Sequence, residues 1–202
     1  MPGEAVSERI GFFGKLPAHG DFVRRGLPTA LTSRLDGWLQ TEFGRRMDPA
    51  ASIAALAALR FASSAVINHE LALGTMIASQ DRVGRDYVVI AIRLSAHPSQ
   101  VLPDPIPAAW DDWCGRAEVL LVAARDGAWT ADATQAALET ASRTAVVELT
   151  AAAPFALPDT AAPTTASWRP MLGPAASTWI DRSGVLPSGD AFDQFLAAVE
   201  SD

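Results

Sequence analysis

The chain has 202 residues and a mass of 21.3 kDa, a length that suits one domain. Hydrophobic residues make up 49% of it, which supports a substantial core and excludes a mainly disordered chain. The net charge of -7 and the pI near 4.9 disfavour nucleic acid and anionic membranes as partners, because both repel an acidic surface.

Cysteine content and hydropathy indicate the cellular compartment. Cys114 is the only cysteine, so the chain cannot form an intramolecular disulfide or a zinc site of several cysteines. The first residues lack the cationic start and apolar stretch of a secretory signal. No run approaches the roughly 20 apolar residues that a membrane helix needs. We therefore expect a cytoplasmic protein that does not insert into membranes.

The cationic residues are unevenly divided between arginine and lysine. Lys15 is the only lysine among 16 cationic residues, in a chain that otherwise uses arginine. A compact ammonium and a planar guanidinium are not interchangeable in a confined site. The retention of this lysine suggests that an ammonium is required there, although chance is the alternative explanation.

The first half of the chain is predicted to contain both strands and helices. Residues 10–14 read as a strand, residues 15–26 as a loop, and the apolar spacing from Leu31 to Met47 as a helix capped by Thr29 or Thr32. A short helix is predicted over residues 52–59, with strands over 61–67 and 73–79. Residues 87–94 are almost continuously apolar and β-branched, which predicts a strand buried on both faces at the sheet centre.

The second half is predicted to be mainly helical. Four prolines in residues 98–107 indicate a linker before a helix whose apolar stripe includes Trp113, Ala117 and Leu121. A second helix is predicted over residues 131–149, capped by Thr130, with a stripe of small residues that includes Ala133, Ala137 and Ala141. Residues 177–182 suggest a last strand, and Asp190 is placed to cap a terminal helix.

This order of elements predicts an α/β fold, a single-domain sandwich in which helices pack on a mixed, largely antiparallel β-sheet. The domain is expected to span residues 1–202, with a flexible N-terminus over 1–9 and a long surface loop over 154–174. Four aromatic residues are predicted to lie in the core. They are Phe12, Phe13, Phe22 and Trp38.

No motif predicts catalysis or a cofactor. Gly11 and Gly14 are too close together for a phosphate-binding loop, and Leu16 follows the lysine where serine or threonine is required. The chain has no nucleophile elbow of the G-x-S-x-G type, and Cys114 lies in a predicted packed helix, which favours a buried, unreactive thiol. The sequence therefore predicts neither an enzyme nor a bound metal.

Polar residues instead concentrate in two predicted loops. The first cluster contains Lys15, His19, Asp21, Arg24 and Arg25. The second contains Asp81, Arg82 and Arg85. Because loops displayed on a sheet often carry binding residues, both clusters are candidates for contact with a partner.

The residues of these clusters also carry a resemblance to a known family. The stretch GFFGKLPAHGDFVRRGLP at residues 11–28, followed by DGWL at 36–39, resembles the N-terminal signature of the TagF/ImpM family of type VI secretion proteins. SQDRVGR at residues 79–85 resembles that family's second motif in order and spacing. STWID at 177–181, then VLP and FDQFL, is similar to its closing segment. The chain departs from the family pattern at Asp86 and Tyr87, where an aromatic–proline pair is expected.

The resemblance implies a cytoplasmic accessory protein that represses type VI secretion after translation. It further implies that repression works through binding the forkhead-associated scaffold protein of the secretion apparatus. The family is not known for catalysis, so the resemblance implies neither an enzyme nor a cofactor.

Alternatives remain open for both the clusters and the function. The charges could be structural, with Asp21 capping its own loop or pairing with a neighbouring arginine, and with Asp81 and Arg85 forming an internal ion pair. The chain could be a metal-assisted hydrolase built on His19, Asp21 and Asp81. It could also be a permanent structural component of the secretion apparatus.

Overall fold

The computed structural model of the chain describes residues 8–46, 48–54, 56, 58–67, 70–95, 108–151, 177–181, 188–190 and 192–193. They contain six strands and four helices. The strands are β1 (Glu8–Gly14), β2 (Val23–Arg25), β3 (Leu59–Ile67), β4 (Glu70–Gln80), β5 (Asp86–Ser95) and β6 (Ser177–Asp181). The helices are α1 (Thr29–Gly44), α2 (Pro49–Ala54), α3 (Ala108–Asp126) and α4 (Ala131–Ala151).

The strands form one sheet in the order β2-β1-β5-β4-β3-β6. All neighbouring strands are antiparallel except β3 and β6, which are parallel. The predicted mixed, largely antiparallel sheet is therefore confirmed.

Strand β5 lies inside the sheet, between β1 and β4, and is buried on both faces. Val89 and Ala91 face one layer of helices, whereas Ile90 and Ile92 face the other. Successive side chains of a strand point to opposite faces, so a strand covered on both sides must be apolar at nearly every position. The central, doubly buried strand predicted over residues 87–94 is confirmed.

The helices form two layers, one on each face of the sheet. On one face α1 and α2 pack with Leu31, Leu35 and Ile53 against the core that contains Phe13. On the other face α3 and α4 pack against the core that contains Phe12. The α3 residues buried there are Trp113, Cys114, Ala117, Leu121 and Ala124. The predicted sandwich and the predicted apolar stripe of α3 are both confirmed.

The chain between β1 and α1 differs from the prediction. Residues 23–25 were expected in a loop but form β2, which pairs with β1 from Phe12 to Gly14. The close approach explains Gly11, since a Cβ there would collide with the backbone of Arg25 and Gly26. Strand β1 also begins at Glu8, within the N-terminus that was expected to be flexible.

The boundaries of the helices also differ in part. Helix α1 starts after Pro28 without a side-chain cap, and Thr32 Oγ1 donates to the Thr29 carbonyl instead, so the capping prediction for Thr29 or Thr32 is wrong. Helix α2 starts earlier than predicted, at Pro49, and Leu59 belongs to β3. The predicted Thr130 cap of α4 is confirmed, because its Oγ1 accepts from the Ala133 N–H at 3.2 Å.

Helix α4 buries a different stripe from the predicted one. Ala133 is exposed, and Ala137 and Ala141 are only half-buried. The residues that are buried lie on the neighbouring face of the helix. They are Ala131, Thr134, Leu138 and Ser142. Alanine is too small and too frequent in this helix to define its buried face by spacing alone, whereas Leu138 lies on the observed one.

The core predictions are largely confirmed. Phe12 and Phe13 are buried, and Trp38 is half-buried against the core beside Phe192. The prediction for Phe22 is wrong, since 40% of this residue is exposed.

Several predictions fall partly or wholly outside the described residues. They are the N-terminus over 1–7, the linker over 98–107, the surface loop over 154–174 and most of the terminal helix; the domain prediction for 1–202 also extends over them. Within the ranges that the structure describes, no helix is both long enough and apolar enough to cross a membrane.

Candidate functional site

The two predicted polar loops meet at one end of the sheet. We call residues 15–22 the first motif loop and residues 81–85 the second motif loop. Strand β1 leads into the first, and the second connects β4 to β5. Because Gly14 pairs with Val89 and Gln80 pairs with Asp86, both loops leave the sheet at the same end of β5.

Backbone hydrogen bonds join the two loops directly. The Arg82 N–H donates to the His19 carbonyl at 2.8 Å. The Lys15 carbonyl accepts from the buried Ser79 hydroxyl at 2.8 Å, and the Lys15 N–H donates to the Val88 carbonyl at 3.1 Å. The loops therefore form one hydrogen-bonded unit, which we call the motif platform.

Asp81 is the acceptor around which the second motif loop turns. Its Oδ1 accepts from the backbone N–H groups of Val83 and Arg85, both at 3.0 Å. Its Oδ2 accepts from Arg85 Nε at 2.6 Å and lies 3.5 Å from Lys15 Nζ. Gly84 takes a positive φ of 80°, which glycine adopts without strain, and so completes the turn.

These contacts fix the ionised state of Asp81. Only 2% of the residue is exposed, and burial by itself would raise the pKa of the carboxyl. The hydrogen bonds from Arg85 and Val83 and the charge of Arg85 outweigh that effect and hold the pKa at about 2, below the ordinary value of 3.8. The predicted internal ion pair of Asp81 and Arg85 is confirmed.

Lys15 occupies a confined cationic site beside Asp81. Only 8% of the residue is exposed. Its Nζ lies 5.3 Å from the centroid of the Phe22 ring and 5.6 Å from that of Tyr87, and it donates to the Arg85 carbonyl at 3.4 Å. Two ring faces, a carbonyl and a carboxylate surround one compact charge, which suits an ammonium.

The aromatic rings around Lys15 are themselves fixed. The Phe22 ring stacks on Phe13 with centroids 5.6 Å apart and meets the edge of Tyr87 at 4.8 Å. The Tyr87 hydroxyl donates to Asp36 Oδ1 at 2.7 Å. Burial raises the pKa of Tyr87 above its ordinary value, and the hydrogen bond and charge of Asp36 raise it further. The phenol therefore stays protonated, as a hydrogen-bond donor.

His19 connects the platform to a helix that lies far away in sequence. Its Nε2 accepts from the Ala131 N–H, the first amide of α4, at 3.0 Å. The first amides of a helix have no partner within it, so this side chain satisfies a donor that would otherwise be unpaired. Because Nε2 accepts, its lone pair is already occupied in this conformation.

The remaining predicted residues lie at the edge of the platform. Asp21 Oδ1 accepts from the adjacent Phe22 N–H at 2.8 Å, which confirms that it caps its own loop. Arg25 pairs with Asp132 at 2.8 Å and not with Asp21. Arg24 donates to Thr32 Oγ1 at 3.4 Å. The structure thus unites five of the eight predicted residues and leaves these three at the periphery.

Sequence reasoning missed several features of this region. Phe22 and Tyr87 enclose the Lys15 ammonium, and Val83 stands exposed at the tip of the second motif loop. No sequence motif indicated the shallow groove of about 660 Å³ along α3. Its lining contains no residue of the motif platform. It is lined by Arg60, Asp112, Gly115, Arg116, Val119, Leu120 and Ala141.

The metal-site alternative has no support in the described residues. Among them, no three His, Cys, Asp or Glu side chains are grouped closely enough to hold a metal ion. Of the three residues proposed as ligands, His19 accepts from Ala131 and Asp81 accepts from the backbone and from Arg85. The lone pairs of these two side chains therefore already accept hydrogen bonds from within the chain.

Comparison with known proteins identifies the family. No curated protein matches the sequence. Among solved structures, the chain is similar to PA0076 from Pseudomonas aeruginosa PAO1, with 26% sequence identity and a TM-score of 0.51. That similarity covers 64% of this chain and 61% of PA0076, so the match spans about three fifths of the other protein. Residues 11–141, which include the whole motif platform, match the family described as TagF N-terminal domain, type VI secretion system-associated. The chain therefore belongs to the TagF family of type VI secretion system-associated proteins.

Proposed function

We propose that this chain is a cytoplasmic regulator of the type VI secretion system and acts by binding, without catalysis. In this proposal it represses secretion after translation by engaging the forkhead-associated scaffold protein of the apparatus. Membership of the TagF family supports the association with type VI secretion. The partner and the repressive role are the further steps that we propose.

The observation that carries the proposal is the construction of the motif platform. Two loops that are distant in sequence share backbone hydrogen bonds, a buried carboxylate and a buried ammonium, and they present exposed arginine and apolar side chains. A loop surface fixed by its own contacts loses little conformational entropy on binding, which is the property of a recognition site.

The occupied lone pairs of His19 and Asp81 support a binding role over the hydrolase alternative. A metal at these residues would have to displace the hydrogen bonds from Ala131, Val83 and Arg85. A partner protein would need no such change, because it would contact side chains that already point outward.

Direct binding tests the proposal. The purified chain and the scaffold protein of the same secretion system are mixed in a calorimeter, and we expect association with a Kd below ~100 μM. Heat of mixing indistinguishable from dilution at that concentration contradicts the proposed partner. A scaffold lacking its forkhead-associated domain provides the control for non-specific association.

A deletion in the native bacterium separates repression from a structural role. Loss of a repressor raises the amount of secreted type VI substrate in the culture medium, and supplying the chain from a plasmid lowers it again. Loss of a structural component abolishes secretion, and that result would replace the regulatory proposal by the structural alternative.

A further inference from the structure

The outer edge of the motif platform combines apolar and cationic side chains. Phe22 is 40% exposed and Val83 is 69% exposed, and they are two of the three exposed large hydrophobic residues in the described part of the chain. Arg82 is also exposed, and 61% of the Arg85 side chain is accessible. We call these four residues the motif rim.

The rim is held in a fixed arrangement by residues beneath it. The Val83 N–H donates to Asp81 Oδ1 and the Gly84 N–H donates to the Asp81 carbonyl at 2.9 Å, so the turn that carries Val83 is closed at its base. The ring of Phe22 is fixed between Phe13 and Tyr87. An exposed valine on a closed turn contributes nothing to the core, which leaves it available for contact with another molecule.

The charge of the rim indicates the chemistry of its partner. The four rim residues carry two cations, Arg82 and Arg85, and no carboxylate, on a chain whose net charge is -7. Within the described residues, the Arg82 guanidinium has no hydrogen bond or ion pair. Arg85 uses Nε for Asp81 and Nη2 for the Gly20 carbonyl, at 2.8 Å, which leaves Nη1 for a further acceptor.

We propose that the motif rim is the surface with which this chain contacts its partner protein, and that it binds an acidic patch bordered by apolar residues. Partner carboxylates would accept from Arg82 and Arg85, while Val83 and Phe22 would be covered by apolar side chains. Arginine and aromatic residues dominate the energetics of such contacts. This inference rests on the proposed function and specifies which part of the platform performs it.

The inference divides the predicted site residues into two groups. Arg82 and Arg85, together with Phe22 and Val83, touch the partner. Lys15 and Asp81 are buried and His19 is half-buried, with its Nε2 bonded to Ala131, and these three residues position the rim.

The test compares variants of matched exposure. Val83→Asp and Arg82→Glu each place a negative charge on the rim, whereas Val119→Asp does the same on α3, at a residue that is 68% exposed. We expect the two rim variants to weaken the Kd for the forkhead-associated scaffold protein at least tenfold, because a central contact contributes at least ~1.4 kcal/mol. The α3 variant should stay within about twofold of the unsubstituted chain.

Salt dependence provides a second readout. Raising the ionic strength weakens the binding of the unsubstituted chain, and the Arg82→Ala variant should show a smaller dependence because one attractive charge pair is missing. All variants lie on the surface, so their thermal unfolding midpoints should equal that of the unsubstituted chain within about 2 °C.

The outcomes separate this inference from the function on which it rests. If the unsubstituted chain binds the scaffold and both rim variants bind equally well, the rim is the wrong surface and the proposed function stands. Weakening by Val119→Asp alone would overturn the rim in favour of the groove along α3. If the unsubstituted chain does not bind, the proposed partner is wrong and the rim inference falls with it.

Discussion

Replacing Lys15 by methionine tests whether the buried ammonium stabilises the motif platform. Methionine has a similar length and keeps the apolar contact, but it cannot interact with the two rings as a cation. The Asp81 carboxylate keeps Arg85 as its partner at 2.6 Å, so the substitution leaves no carboxylate without a cation. The expected loss therefore comes from the contacts of the ammonium itself.

Those contacts set the magnitude. Nζ lies within 6 Å of two ring centroids, and each such cation–π contact contributes about 1 kcal/mol when partly desolvated. The hydrogen bond to the Arg85 carbonyl and the ion pair with Asp81 are both long, at 3.4 Å and 3.5 Å, and together they add about 1 kcal/mol at most. Methionine recovers part of this because it carries no charge to desolvate, which leaves a net loss of about 2 kcal/mol.

Urea unfolding measures this loss directly. We expect the free energy of unfolding of Lys15→Met to fall by about 2 kcal/mol, which corresponds to a thermal midpoint lower by roughly 4–8 °C for a chain of this size. Arg25→Met is the control, because it removes one cation from an exposed pair with Asp132 and should cost less than about 1 kcal/mol. Lys15→Arg should also destabilise, since the larger guanidinium does not fit the enclosed site.

One result would refute this reasoning. If Lys15→Met is as stable as the unsubstituted chain, the free-energy cost of burying the ammonium equals the stabilisation that its contacts provide. The single lysine of the chain would then need an explanation other than stability.

Three further predictions concern other parts of the molecule. His19→Ala should lower the free energy of unfolding by about 1–3 kcal/mol, because it leaves the buried Ala131 N–H without an acceptor. His19→Gln should restore part of that loss. Equal stability of His19→Ala and the unsubstituted chain in urea would contradict this prediction. The pKa of Asp81 is lower in the folded chain, at about 2, than its ordinary value of 3.8, so its contribution is present above pH 4 and is lost as the pH falls towards 2. Stability measured across that range should therefore fall less steeply in Asp81→Asn, and parallel curves would show that the carboxylate is not responsible. Gly37→Ala should stabilise α1 by about 0.5–1 kcal/mol, because nothing lies within 4 Å of the added methyl group, and a lower thermal midpoint would exclude that reasoning.

The parts of the fold that were predicted correctly depend on strong local patterns. Strand β5 has a nearly unbroken apolar run, and α3 places the large apolar residues Trp113 and Leu121 on one face, with Ala117 between them at helical spacing. Both patterns can be recognised from neighbouring residues alone, because β5 and α3 each bury at least one whole face of apolar side chains. The weak pattern of α4, which is rich in alanine, misplaced its buried stripe by one residue.

The failures arise where distant residues decide the local structure. The three residues of β2 have no strand pattern of their own, and they are extended because β1 provides hydrogen-bond partners. Phe22 was predicted to lie in the core because it is hydrophobic. Its ring contacts Phe13, Tyr87 and Lys15, but the rest of the residue remains exposed at the surface.

The candidate site was predicted in its residue types but not in its arrangement. Both polar clusters were recognised. The internal pair of Asp81 and Arg85 was among the alternatives, because residues four apart come close together when the chain turns between them. The contact of Lys15 with Asp81 and of His19 with Ala131 depends on the register of the sheet and on the position of α4. No spacing within the sequence encodes either of them.

The hydrogen bond between His19 and Ala131 also has a consequence for how the protein is made. Its two residues are 112 positions apart, so the first motif loop cannot reach its final conformation until the ribosome has synthesised the start of α4. The pairing of β1 with β5 is similarly non-local, and such contacts form slowly because a long segment must close before they are gained. The segment at residues 11–28 is therefore synthesised well before the residue that completes its hydrogen bonding.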